Sequence, residues 1–390
     1  MKDLFKYVKG DKVLWIIALL LMGVSIVTVY SFVPILIKTQ GGSSLGYLFK
    51  HLTYIIIGLI MMYWLHTKDP IYLEKLSKFI FYISIGLLIF TFFFGVKVND
   101  ATRWVRIPII GLTFQSSDFA KLALVIYISR RLVSKQDQFD SWKDGFWPLI
   151  WPVILVSMLI AKDNFSTAGL LVGVIMCLFF IAKVPLSKIS TFTLSAIGLF
   201  GIFVLIHFAL PEYDILPRLD TWINRIFRAY GDDTISQIDN MQAINAKLAI
   251  HNGGYFGVGI GDGDLKYYTP EAYADFYYSS FVEELGLKFA VPLILLYLIL
   301  FYRILRIGLN AERLFETYIC IGIGLIFMAQ ALTNMFVCTG IIPVTGQNMP
   351  FLGMGGSAMV MSCVSLGIVL SVGYKNSLKE NKVMASENQD

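Results

Sequence analysis

Residues Ile16–Phe32 read IIALLLMGVSIVTVYSF, and this stretch decides the class of fold. Its residues do not show the alternation of polar and apolar positions that is typical of a membrane β-strand. An uninterrupted apolar run predicts an α-helix that crosses a lipid bilayer. The run is too long for the apolar core of a signal peptide and has no clear small-residue cleavage site. We therefore expect a retained membrane helix.

Similar apolar runs recur along the whole chain. Of its 390 residues, 56% are hydrophobic and only 15% are charged, and the mean hydropathy is +0.68. These values are too apolar for a soluble domain and predict an all-α polytopic integral membrane protein, with residues 1–375 as a single transmembrane domain. About ten spans are expected, at residues 13–36, 50–66, 77–96, 115–134, 146–161, 167–182, 190–210, 279–302, 314–338 and 353–374.

The distribution of Lys and Arg predicts the orientation of these spans. With the N-terminus inside, ten spans place most basic residues, such as Lys9, Lys12, Arg130 and Arg131, in cytoplasmic segments. Both termini are then cytoplasmic, and residues 376–390 are expected to form a disordered tail. The same topology accounts for the net charge of +5, so we expect no nucleic-acid partner.

The cysteines and histidines do not indicate a metal site. The four cysteines lie in or at the ends of apolar runs and show no CxxC spacing, which favours a packing role over disulfides or metal binding. The four histidines are scattered, without the spacing of zinc ligands.

One loop, from about residue 211 to residue 278, is much longer than the others and is placed on the outer face between spans seven and eight. A loop of this length is usually functional or disordered. Apolar residues at steps of three and four between Thr234 and Ile250 predict an amphipathic helix within it. The loop is therefore expected to be structured and extracytoplasmic.

The helix is followed by a glycine-rich segment, GGYFGVGIGDGD, at residues 253–264. It lacks the strand-then-helix context of a phosphate-binding loop, so we favour tight turns and close backbone packing. Asp262 and Asp264 are candidate metal ligands, because carboxylate oxygens suit hard divalent cations, or are simply solvated. Earlier in the loop, Arg218, Arg225 and Arg228 alternate with aromatic residues. They predict either an anchor in the lipid headgroup layer or a clamp for a lipid-linked phosphate.

Three polar segments interrupt the apolar pattern. Thr269–Gly286 reads TPEAYADFYYSSFVEELG and places Asp275 just before the eighth span and Glu283 and Glu284 inside it. Ionisable groups at membrane depth are costly and are functional candidates. Asp118 and Lys121 are one helical turn apart at the start of the fourth span and form a structural or functional ion pair. Residues 334–357 are rich in Gly and Pro, and such irregular backbone must be buried in protein or line a cavity.

Four motifs in this order resemble the SEDS family, the polytopic enzymes of shape, elongation, division and sporulation. The resemblance covers nearly the whole chain. The matching segments are NDATRW at 99–104 with FQSSDFAKL at 114–122, Gln242 with the glycine run at 253–261, TPEAYADF at 269–276 with EELG at 283–286, and TGIIPVTGQNMPFLGMGGS at 339–357.

The resemblance implies a peptidoglycan glycosyltransferase that polymerises lipid II and releases undecaprenyl pyrophosphate. It implies that Asp275 is the catalytic base and that a divalent cation, Mg²⁺ or Mn²⁺, assists. The implied partners are a class B penicillin-binding protein and other membrane proteins of cell division, in the bacterial cytoplasmic (inner) membrane. The expected substrate-binding residues are Arg103, Trp104, Asp118, Lys121, Arg218, Gln242, Lys266 and Glu271.

The chain also departs from the family pattern. Asn164 replaces an acidic residue, so it is assigned no role. The opening KGDKVLW at residues 9–15 favours the division branch, located at the septum, over the elongation branch. Two other functions stay open, a lipid II flippase and a non-catalytic division scaffold. A carrier would place its site near the bilayer midplane, whereas the polar residues here collect toward the outer face.

Overall fold

The computed structural model describes residues 9–98, 101–106, 112–209, 237–269 and 272–387. These ranges form a helical bundle with one small sheet. The helices are α1 (Lys12–Gln40), α2 (Ser44–Leu65), α3 (Ile71–Phe94), α4 (Ser116–Ser134), α5 (Trp147–Ala161), α6 (Phe165–Ile181), α7 (Leu186–Ala209), α8 (Gln237–Gly253), α9 (Tyr277–Leu285), α10 (Leu287–Leu309), α11 (Leu314–Thr339) and α12 (Gly356–Glu387). The strands are β1 (Val96–Val98), β2 (Ala101–Arg106) and β3 (Thr113–Gln115).

Within the described ranges, eight helical segments are long and apolar enough to cross a membrane: α1, α2, α3, α5 together with the π-helical turn Trp142–Phe146 that precedes it, α7, α10, α11 and α12. Two further predicted spans are also helical. Helix α6 is apolar but has 17 residues, and α4 has 19 residues with a lower hydrophobicity. The all-α polytopic class is therefore confirmed, and each of the ten predicted apolar segments contains a helix.

The eighth span begins later than predicted. The segment expected as 279–302 is broken at Gly286, which ends the short helix α9 and precedes α10. Gly286 has φ +75°, and a Cβ there would collide with the backbone of Tyr255 and Gly257. Only glycine fits this approach. Glu283 and Glu284 consequently lie in α9, before the membrane-crossing helix and not inside it as predicted.

The segment that was expected to run along the outer surface forms a sheet. Strands β1, β2 and β3 pair antiparallel in that order, with Trp104 opposite Gln115. The hydroxyl of Tyr54 on α2 accepts a hydrogen bond from the Thr113 amide at 2.8 Å and donates one to the Thr113 carbonyl at 3.1 Å. The sheet is thereby tied to the end of the helix bundle.

Helices α2 and α12 pack at unusually close range. A Cβ on Gly58 would lie 2.7 Å from the Cys363 sulfur, and one on Gly367 would lie 3.0 Å from the Met62 Cα. Close approach of helix backbones through small residues is the usual way that membrane helices associate without a hydrophobic driving force.

Helix α12 continues beyond the span to Glu387. The expected disordered tail at residues 376–390 is therefore helical up to residue 387, and residues 388–390 lie outside the described part. The physical reason is cooperativity, because extending an existing helix avoids the cost of nucleation.

Candidate active site

Asp275 lies at the end of the bundle that is predicted to face outside. It belongs to the turn at residues 272–276 that leads into α9, and its side chain is half-buried. A Cβ on Gly346 would lie 3.3 Å from Asp275 Oδ2 and 3.8 Å from Asn164 Nδ2. Gly346 has φ +69°, so both its conformation and its space favour glycine. The carboxylate thus meets the α11–α12 connection and the start of α6.

The backbone beside this carboxylate is held by one buried amide. Asn334 on α11 is fully buried, and its Nδ2 donates to the carbonyl oxygens of Ala274, Asp275 and Gln347 at 3.1, 3.0 and 2.8 Å. Its Oδ1 accepts from the Tyr278 amide at 3.2 Å. One side chain therefore joins α11, the turn that carries Asp275, the start of α9 and the α11–α12 connection.

A second link runs from the same connection to α6. Gln347 is buried, and its Nε2 donates to the Thr167 hydroxyl at 2.6 Å. The Thr167 amide in turn donates to Asn164 Oδ1 at 3.0 Å, which makes Asn164 the N-cap of α6. Asn164 therefore has a local structural role, beside the Asp275 carboxylate.

Asp118 and Lys121 form the ion pair that their spacing predicts. The Lys121 Nζ lies 2.9 Å from Asp118 Oδ1, with side-chain exposures of 7% and 8%. The Ser357 hydroxyl donates to Asp118 Oδ2 at 3.3 Å and accepts from the Gln115 amide at 3.1 Å. The pair is thus linked to β3 and to the start of α12.

Asp118 and Lys121 also line a small cavity of about 30 Å³. Its other polar walls come from Gln330, Asn348, Ser362 and Ser365, and its space suffices for a water molecule. The α11–α12 connection forms part of the wall, with Met349, Phe351 and Leu352 buried. The expectation that this irregular backbone is buried or lines a cavity is confirmed.

The family model described as a cell cycle protein, of the FtsW, RodA and SpoVE type, matches residues 11–378. The chain belongs to this family. These are the SEDS proteins that the motifs resemble. Two relatives span nearly the same length. A protein of Geobacter sp. (strain M18) named probable peptidoglycan glycosyltransferase FtsW is 30% identical, over 93% of this chain and 96% of that protein. Stage V sporulation protein E of Bacillus subtilis is 28% identical, over 94% and 98%.

Two solved structures share the SEDS fold. A chain from a structure titled as a peptidoglycan synthase complex that coordinates polymerization and crosslinking has a TM-score of 0.72 at 20% identity, over 94% of this chain and 98% of that chain. The rod shape determining protein RodA of Thermus thermophilus has a TM-score of 0.65 at 20% identity, over 93% and 96%. At this identity the likeness concerns the fold.

In this SEDS chain Lys266 is fully buried in the outer loop. Its Nζ lies 2.6 Å from Glu284 Oε1 and donates to the Ser31 hydroxyl at 2.6 Å and the Gly261 carbonyl at 2.8 Å. The Ser31 hydroxyl also donates to Glu284. Each ammonium hydrogen thus has a protein acceptor, so in this arrangement Lys266 ties the outer loop to α1 and α9. Its expected contact with substrate stays a prediction.

The backbone of the glycine-rich segment packs closely against α9. The amides of Val258 and Gly259 donate to the carbonyls of Glu283 and Glu284 at 2.9 and 3.0 Å. Gly257 has φ +78°, and a Cβ there would collide with the Glu284 carbonyl. The interpretation as tight turns and close backbone packing is confirmed.

A metal held only by protein side chains does not fit the described residues. Among them, no three His, Cys, Asp or Glu side chains come together in a cluster that could hold an ion. Asp262 and Asp264 are both exposed. A Mg²⁺ ion that binds substrate phosphates needs one or two carboxylates, so these two residues stay proposals.

The remaining predicted site residues lie on β2, on α8 or outside the described part of the chain. Trp104 is half-buried on β2, and Gln242 is half-buried on α8. Arg103 belongs to β2, but its side chain lies outside the described part of the structure. Arg218 and Glu271 lie entirely outside the described residues. Arg225 and Arg228 also lie outside it, so the alternatives of membrane anchor and phosphate clamp are untested.

Sequence reasoning missed Asn334, Gln347 and Thr167 as individual residues. A signal was available for Asn334, because a carboxamide near the end of an apolar membrane helix requires a hydrogen-bond partner. Gln347 and Thr167 are 180 positions apart in the chain, and their contact depends on the tertiary fold.

Proposed function

We propose that this SEDS protein is a peptidoglycan glycosyltransferase that polymerises lipid II. The observation that carries the proposal is the half-buried Asp275 carboxylate, whose backbone is held by the buried Asn334. A general base must be held at a defined position and remain reachable by substrate. The names of its FtsW relatives support the same activity.

In the proposed reaction Asp275 accepts the proton of the 4-hydroxyl of the acceptor sugar. The hydroxyl oxygen forms a bond to the anomeric carbon of the donor, and the bond from that carbon to the pyrophosphate oxygen breaks with its electron pair. Undecaprenyl pyrophosphate leaves, and one displacement converts an α-linked donor into a β-linked product. General-base assistance of this kind contributes about 10²–10⁴-fold to the rate.

The leaving pyrophosphate requires positive charge. Lys121 is the described cation that lines the small cavity at the outer end, and Arg103 on the adjacent strand is a further candidate. A divalent cation would supply additional countercharge to the pyrophosphate.

The proposal places the chain in the bacterial cytoplasmic membrane with both termini inside, and at the division septum. Its partner would be a class B penicillin-binding protein, together with other membrane proteins of cell division. A chain in a structure titled as a peptidoglycan synthase complex shares the fold, which is consistent with such a partnership.

The test compares wild type, Asp275→Asn and Asp140→Asn, each purified with a cognate penicillin-binding partner. Asp140 is an exposed carboxylate in the loop between α4 and α5, far along the chain from Asp275, and serves as the matched control. Each sample receives lipid II with Mg²⁺, with Mn²⁺ or with EDTA, and glycan products are separated on a gel. Thermal unfolding of each variant is measured in parallel.

Polymer from wild type and Asp140→Asn, with none from a folded Asp275→Asn, supports the assignment. Equal polymer from all three removes Asp275 from catalysis. A folded wild type that makes no polymer but moves fluorescent lipid II across vesicle membranes favours the flippase instead. Loss of polymer in EDTA that either metal restores supports the divalent cation.

A further inference from the structure

An open cavity of about 410 Å³ lies at the other end of the bundle from Asp275. It is formed where α1 begins, where α10 ends and where α12 continues past the span. Helix α10 separates it from the turn that carries Asp275, and 23 residues at 1.5 Å each span about 35 Å. The cavity is therefore distinct from the proposed catalytic site.

The charged lining of this cavity is mainly basic. Lys12, Arg303 and Arg306 are among its walls, and Asp11 is the one carboxylate among the described lining residues. Arg303 and Arg306 are one turn apart on α10, so their like charges share a face. Such an arrangement is favourable when an anion lies between or beside the two guanidinium groups.

The single carboxylate is already engaged within the protein. Asp11 Oδ1 accepts from the amides of Val13 at 2.8 Å and Leu14 at 3.4 Å and so caps α1. Its other oxygen pairs with Arg303, and its side chain is only 9% exposed. Arg306 is exposed at the cavity. The described lining residues thus carry an excess of positive charge.

Exposed apolar stripes lead from the cavity toward the middle of the membrane. On α1 the stripe is Val13, Ile16 and Leu20, which are 37%, 45% and 51% exposed and share one helix face. On α10 it is Tyr302, Ile299 and Leu295, which lie on the same face as Arg306 and are 60%, 43% and 51% exposed. A ligand with a charged head and apolar chains matches this combination.

We propose that this cavity binds the phosphate headgroup of an anionic phospholipid, with its acyl chains along the exposed stripes of α1 and α10. Arg306 and Lys12 contact the phosphate, because guanidinium and ammonium groups are the usual phosphate donors in proteins. The volume suits a headgroup, since ligand cavities of 300–1,000 Å³ are typical. Basic pockets between membrane helices on the cytoplasmic side recognise anionic lipids by this chemistry.

The test uses the full-length protein in detergent, with phosphatidylglycerol, cardiolipin, phosphatidylcholine or inorganic phosphate added. Native mass spectrometry measures bound lipid, and thermal unfolding measures stabilisation. The variant is Lys12→Gln with Arg306→Gln, and the control is Lys75→Gln with Lys78→Gln, two exposed lysines near the start of α3 that carry the same charge. All four side chains are exposed, so both variants should fold.

We expect anionic lipids to bind wild type and the α3 control about equally. Loss of the two cations should weaken the affinity by roughly tenfold or more, and Arg306→Lys alone should retain most of it. Equal binding of anionic lipids to both double variants would overturn the site. Phosphatidylcholine binding as strongly as phosphatidylglycerol would overturn its charge selectivity. Inorganic phosphate stabilising the protein as much as lipid would reassign the cavity to a soluble anion.

Discussion

Replacing Asn334 by Leu tests how the Asp275 backbone is held. The substitution preserves the branched shape and the number of side-chain heavy atoms but removes an amide that serves three carbonyl oxygens and one backbone amide. An unsatisfied buried polar group costs about 1–3 kcal/mol, and some of these groups will find other partners. We expect the free energy of unfolding to fall by roughly 2–4 kcal/mol.

The activity should fall by more than the loss of folded protein explains. Displacing a reacting group by about 1 Å can lower a rate by about 100-fold, so kcat should fall by that order while KM changes little. Glycan polymerisation is measured per folded molecule, at a temperature well below the unfolding midpoint. Asn334→Asp keeps the acceptor for the Tyr278 amide but loses both donor hydrogens, and should be similarly inactive.

The matched control is Leu132→Ala. This change removes a fully buried side chain near the C-terminal end of α4, which is the end away from Asp118. It should cost about 2–5 kcal/mol of stability and leave kcat nearly unchanged. If Asn334→Leu retains a kcat within twofold of Leu132→Ala, the idea that Asn334 positions Asp275 is refuted.

Three further predictions concern the long loop that follows α7 and the helix α9. Lys266→Met leaves the buried Glu284 carboxylate without its cation and should cost about 3–5 kcal/mol of stability in chemical unfolding; adding Glu284→Gln should recover part of it, and no recovery would contradict the pairing. Gly257→Ala should unfold at clearly lower temperature than Gly254→Ala, because both have positive φ but a Cβ meets backbone only at Gly257. Burial raises the pKa of the Glu283 carboxyl in the folded protein. The stability that the neutral, protonated carboxyl contributes is therefore fully present below the pKa of the unfolded chain, and it is lost as the pH rises through the higher pKa of the folded protein. Glu283→Gln should therefore raise the unfolding midpoint at neutral pH and change it little near about pH 4; a gain of equal size at both pH values would exclude this titration.

The membrane helices could be predicted because hydropathy is a local property of the sequence. The break at Gly286 could not be predicted, because its cause is the close approach of Tyr255 and Gly257 from an earlier part of the chain. The three-stranded sheet was missed because its strands are only three to six residues long, and so few residues carry little periodic pattern.

Part of the candidate site was also predictable, because it depends on residues that are close together in the sequence. The spacing of Asp118 and Lys121 within one helix predicts their ion pair, which the structure contains. The contacts of Asn334 with Asp275, 59 positions away, and of Ser357 with Asp118, 239 positions away, depend on how distant segments pack. The contact of Lys266 with Ser31, 235 positions away, depends on the tertiary fold in the same way, and the expected contact of Lys266 with substrate stays a prediction.

The close packing of α2 against α12 has a mechanical consequence. Helix α12 starts beside the Asp118–Lys121 pair, through Ser357, and carries Asn376 and Ser377 into the cavity at the opposite end. At Gly58 and Gly367 the two helices lie so close together that an added Cβ would have to displace a neighbouring atom. The two helices should therefore move together, so that a tilt imposed at the cavity end of α12 also displaces Ser357 beside the Asp118–Lys121 pair at the opposite end.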